Sequence, residues 1–165
     1  MSENKQMSME ALLQILQDSL KQKLEIMTVV EAKSREQAQL LTDPDVSLAV
    51  LDQNMDEKAE LVREITKLDA GFETLYESIR EELIDNKDAY KEQIKAIQTY
   101  VAGIMDKSAS IEAIEARNKA VVEMIFQNRK KTLQHKKAAS SVARQYQKTA
   151  KSLNVVDSYF VDSKK

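Results

Sequence analysis

The chain has no cysteine and no tryptophan, one proline, one histidine and two glycines among its 165 residues, and aromatic side chains make up 5% of it. Without cysteine there is no disulfide framework, thiolate nucleophile or thiolate metal site, which is compatible with a reducing compartment. The shortage of glycine and proline removes the turns that a sheet protein needs. With Gly71 and Gly103 far apart, no phosphate-cradling loop exists. No apolar run approaches the ~18 residues that span a bilayer. The N-terminal segment MSENKQMSMEALL has neither the basic stretch nor the apolar core of a secretory signal, so the expected location is cytoplasmic. His135 stands alone, and Thr132 occupies the place where a di-iron helix needs glutamate. Carboxylate pairs such as Glu73 with Glu77, or Glu81 with Asp85, fall at helical spacing on outer faces. The reading is therefore of a protein that is not an enzyme, with no metal and no cofactor.

What is present is helix-forming material. Hydrophobic residues account for 42% and charged ones for 32%, enough for one helical domain over 1–165. The most regular stretch steps by four and three through Tyr90, Ile94, Ile97, Val101, Ile104, Ser108, Ile111, Glu115, Asn118, Val122 and Ile125, an unbroken heptad seam. No proline interrupts it, and the spacing predicts a helix over 88–150, roughly 90 Å long at 1.5 Å per residue. Glu115 and Asn118 occupy two successive core positions of the seam, where buried polar groups fix register; a binding niche is the other reading.

Two further helices are expected to cover the seam. The first, over 8–41 with Ser8 as its cap, carries Met9, Leu12, Leu13, Leu16, Leu20, Leu24, Met27 and Val30 on one face, and is expected to be more loosely held beyond Val30. TDPDVS (Thr42–Ser47) holds the only proline and makes a turn. The second helix, over 47–85, carries Leu51, Met55, Leu61, Val62, Ile65, Leu68, Phe72, Leu75, Tyr76, Ile79 and Leu83. Gly71 inside that pattern reads as a point of close helix approach. The polar break Asp85–Asp88 makes the second and third helices antiparallel neighbours. The expected fold is all-α, an elongated antiparallel three-helix coiled-coil bundle whose third helix outlasts its partner near Phe126 and overhangs the body.

Charge divides at the same place. Residues 1–128 hold 25 acidic and 15 basic side chains, whereas 129–151 hold Arg129, Lys130, Lys131, Lys136, Lys137, Arg144, Lys148 and Lys151 and no acid. Leu133, Ala139, Val142, Tyr146 and Leu153 form a sparse stripe along this basic arm. The tail over 151–165, partly ordered or mobile, brings Val156, Tyr159 and Phe160 together. The arm reads as a solvated helix end, a nucleic-acid contact, a membrane-surface helix or a docking surface for a partner helix. Only Tyr146 is interleaved with the charges and the apolar face is alanine-rich, so docking is favoured, with the basic residues steering an acidic partner.

EKAELVREITKLDAGFETLYESIREEL in the second helix, YKEQIKAIQTYV and IEAIEARN in the third, and the ending YFVDSKK together resemble the FlgN family of flagellar export chaperones. The likeness extends loosely from Met9 onward, and its most specific parts are Glu57, Lys58, Leu68–Tyr76, Glu115 and Asn118. The resemblance implies a cytoplasmic chaperone, without enzymatic activity, that binds hook-associated proteins of the FlgK and FlgL type through its C-terminal part. It also implies delivery of those clients to the flagellar type III export gate. The alternatives are a homodimeric coiled-coil scaffold without a client and a nucleic-acid-binding helical protein. The expected state is a monomer or weak dimer, with no membrane insertion.

Overall fold

The computed structural model describes residues 2–129 and 133–154, with side chains at 9–129, 141–151 and 153. It is all-helical: α1 (Ser2–Leu40), α2 (Leu48–Asp85), α3 (Lys91–Asn128) and α4 (Leu133–Asn154). α1 begins at Ser2 rather than Ser8, since Ser2–Met7 contain neither glycine nor proline to stop it. The Pro44 turn falls where expected, closed by an Asp45 N–H bond to Asp43 Oδ1 of 2.9 Å and a Val46 N–H bond to the Asp43 carbonyl of 3.1 Å.

Residue pairs fix the helix directions. Lys23 meets Asp69, and Gln37 meets Met55, so α2 runs opposite to α1. Glu31 meets Ser110 and Ser34 meets Glu115, so α3 runs alongside α1 in the same sense. The three long helices pack against one another, each about 57 Å in length.

The third helix is not continuous to residue 150, and no arm overhangs the body. α3 ends at Asn128, and α4 folds back into the groove between α2 and α3. Two physical reasons account for this. First, the α1–α2 turn is the end of the body: Arg129 donates to the carbonyls of Pro44 and Val46, the latter at 3.1 Å. Second, the stripe Val142, Tyr146, Thr149 and Leu153 needs cover. A straight helix would carry that stripe past the α1–α2 turn, beyond every partner in its own chain. Folding back buries it.

The core falls into two clusters. One holds Leu13, Leu16, Ile65, Phe72, Ile79, Ile97, Ile104 and Ile111, and Leu153 of α4 closes it. The other surrounds the α1–α2 turn with Leu41, Leu51, Met55, Val122, Phe126, Val142 and Tyr146. α4 thus covers only the half of the body nearest that turn. A layer of polar side chains separates the clusters.

Gly71 is not a point of close approach: a Cβ there would meet nothing within 4 Å. Gly103 is the closer crossing, where a Cβ would lie 3.5 Å from Leu24 Cδ2. No helix among the described residues is long and apolar enough to cross a membrane.

Candidate functional site

The polar layer is built from all four helices. α1 supplies Ser34 and Gln37, α2 Asn54 and Lys58, α3 Glu115 and Asn118, and α4 lays Tyr146 over them. Each residue takes a core position of its helix, so each must find its partner inside the protein. Lys58 is 1% exposed and Glu115 6%. Their ion pair measures 2.7 Å from Nζ to Oε1, and the Ser34 hydroxyl donates to the same oxygen. Lys58 Nζ also donates to Gln37 Oε1 at 2.8 Å. Asn118 Nδ2 donates to the Ser34 carbonyl at 2.8 Å and to Gln37 Oε1 at 3.2 Å. Asn54 Nδ2 reaches the Lys33 carbonyl at 3.1 Å.

Burial pushes the Lys58 ammonium below its ordinary pKa, and the Glu115 carboxylate pulls in the opposite direction. Tyr146 carries its ring 5.0 Å from Lys58 Nζ, a cation–π contact that returns part of the solvation lost by the ammonium. Burial, and then the Glu115 charge, raise the Tyr146 phenol far above its ordinary value. Gln37 faces that hydroxyl, though not at hydrogen-bonding geometry, and the oxygen is buried without a partner. A buried phenol at this position is accommodated rather than satisfied.

Beyond Val30 the first helix is not loosely held, since Ser34 and Gln37 are both fully buried in this layer. A second buried ion pair, Lys23 with Asp69 at 3.0 Å, ties α1 to α2 farther along. A third polar group lies at the α1–α3 surface, where the Ser110 hydroxyl donates to Glu31 at 2.7 Å and Lys107 sits 3.3 Å away. The Ser110 hydrogen bond above all holds Glu31 below its ordinary carboxylate value; Lys107 and Arg35 add to it, and partial burial opposes it.

The residues expected to meet a partner are distributed unequally. Val142, Tyr146 and Leu153 are buried, at 4%, 5% and 0% exposure, in the chain's own bundle. Leu133, Lys136, Lys137 and Ala139 lie on α4, with side chains outside the described residues. Lys130, Lys131, Val156, Tyr159 and Phe160 also lie outside them. Arg144 and Lys148 face solvent. Arg129 is engaged with the α1–α2 turn. Beside Tyr146, a cleft of about 290 Å³ opens between α3 and α4, bordered by Glu112, Ala116, Lys119, Gln147 and Ala150.

Ser34 and Gln37 are not singled out by the sequence, and Lys58 stands out only through the family resemblance, although its spacing also carries a signal. Continuing four-three steps from Leu51 and Met55 lands on Lys58, then Val62, Ile65 and Asp69, all of them buried. No group of three or more potential metal ligands occurs among the described residues. Comparison with protein-family models, with curated proteins and with solved structures gives no match.

Proposed function

We propose that this chain is a flagellar type III export chaperone of the FlgN kind. It acts by binding alone, holding hook-associated proteins in the cytoplasm through α4 and the segment after it and presenting them to the export gate. The observation that supports this reading is the seating of α4. It is a separate helix over half the body, whose central side chain, Tyr146, rests on a buried ion pair with its own hydroxyl unpartnered. Such a helix is held less tightly than the three beneath it. The reading itself starts from the segments of α2 and α3 that resemble the family.

In this mechanism α4 leaves its groove, and Val142, Tyr146 and Leu153 pair with an apolar client helix at helix-in-groove spacing. Arg144 and Lys148, already exposed, steer an acidic client toward it. Ala116 and Ala150 border the same cleft, and the chain has no cysteine of its own. Ala116→Cys with Ala150→Cys, joined by a flexible bismaleimide, therefore pins α4 in place. In calorimetry with C-terminal peptides of hook-associated proteins, the parent chain binds and the pinned chain loses at least about tenfold in affinity, about 1.4 kcal/mol. Binding by neither chain, or equal binding by both, overturns the reading.

A further inference from the structure

We propose that α4 is exchanged between two copies of this chain: α3 and α4 join into one straight helix, and each copy's α4 fills the α2–α3 groove of the other. This goes beyond client binding and does not depend on it. Four observations lead to it.

The connection between the helices carries no instruction to turn. Only Arg129, Lys130, Lys131 and Thr132 separate Asn128 from Leu133, and none of them is glycine or proline. α3 also ends without a stop signal. Arg129 has φ −90° and ψ 24°, its N–H still makes the helical bond to the Ile125 carbonyl at 3.0 Å, and no described residue has a positive φ. A helix followed by neither glycine nor proline meets no breaker in its own sequence.

The start of α4 is electrostatically poor as a free end. Its first turn holds no acidic residue, and Lys136 and Lys137 lie near the positive pole of the helix dipole. Joining α3 to α4 abolishes that pole and gives the first amides of α4 intrahelical carbonyl partners. The fused helix over 91–154 would be roughly 95 Å long.

The end of the body at the α1–α2 turn then decides where α4 goes, because a straight helix carries α4 past it. In a straight helix Val142, Tyr146 and Leu153 have no partner in their own chain, and the groove they vacate exposes Lys58 and Glu115. A second copy supplies both halves of the mismatch with identical chemistry. The polarity also fits: α4 enters its groove at the α1–α2 turn and runs inward from Val142 to Leu153. Two copies meeting turn to turn about a two-fold axis can therefore insert their α4 helices reciprocally. Arg129 keeps its bonds to Pro44 and Val46 in either state, so opening the hinge leaves the three-helix body intact.

The test uses full-length chains carrying one cysteine each, Ala116→Cys in one and Ala150→Cys in the other. The two are co-refolded at about 1 mM, the scale of effective concentration that a short tether gives the closed form, and treated with bismaleimide. Exchange places the α4 cysteine of one chain beside the α3 cysteine of its neighbour and yields a covalent heterodimer. Closed chains yield none, and a dimer formed through any other surface gives sedimentation as a dimer without this link; either result overturns the proposal. As a second measurement, Lys131→Pro should lower the dimerisation constant by at least about a hundredfold, because proline is excluded from both fused helices of the dimer. Inserting Gly-Ser between Lys130 and Lys131 should act in the same direction by relaxing the closed connection. A dimer indifferent to both changes overturns exchange as well.

Discussion

Lys58, on α2, is held between the Glu115 carboxylate on α3, 2.7 Å away, and the face of Tyr146 on α4, 5.0 Å from the ring centre. One ammonium group thus links the fourth helix to the three-helix body. A charge that deep is stabilised only while its partners stay in place.

Tyr146 supplies area and a π face, while its hydroxyl finds no partner. Tyr146→Phe is therefore expected to leave the urea midpoint unchanged or slightly raised, within about 1 kcal/mol of the parent. Tyr146→Ala should cost about 3 kcal/mol, and hydrogen exchange should show the lost protection concentrated in α4.

Breaking the buried ion pair from one side should be worse than removing it. Lys58→Met leaves the Glu115 charge buried with Ser34 as its remaining donor, and a loss of about 3–5 kcal/mol is expected. The double variant Lys58→Met with Glu115→Leu should lose less than Lys58→Met alone. A double-mutant cycle in chemical denaturation measures the difference.

Glu31 and Tyr146 set opposite limits on pH stability. The Glu31 pKa is lower folded than unfolded, so its contribution is complete above about 4.5 and is lost as pH falls through the folded value. Ser110→Ala should flatten that acid limb. The Tyr146 pKa is higher folded than unfolded, so the unfolded chain releases its proton first and stability falls as pH rises above about 10. Tyr146→Phe should flatten the alkaline limb. Thermal melts across pH check both.

Gly71→Ala should stabilise the protein by about 1 kcal/mol, since the helix gains propensity and the new methyl meets nothing within 4 Å. A higher melting temperature is the expected result. A lower one would mean that a neighbour crosses close to Gly71 after all.

The helical architecture was legible because the seam from Tyr90 to Val122 is apolar at every position but Ser108, Glu115 and Asn118, and Pro44 marks the first turn without ambiguity. The polar layer was only half legible. Glu115 and Asn118 stand out against their apolar neighbours, but on α1 and α2 the apolar pattern points to Leu24 and Leu68. The buried positions were the adjacent Lys23 and Asp69. A strict heptad count that tolerates charge would have found them. The return of α4 was harder to read, because no turn residue announces it and the heptad runs straight on: Tyr146 and Leu153 repeat the position of Asn118, and Val142 and Thr149 that of Ile114.

The half-length of α4 also makes the protein mechanically lopsided. A pull on the C-terminus loads α4 from Leu153 backward toward Arg129, so its contacts open one turn at a time, like a strip being peeled. Relative motion along α1 and α3 instead loads many side-by-side contacts together, from Leu24–Gly103 to Ser34–Glu115. Among the described contacts of α4, Leu153 therefore yields first under tension and Val142 after Thr149 and Tyr146, while the body stays whole beneath them.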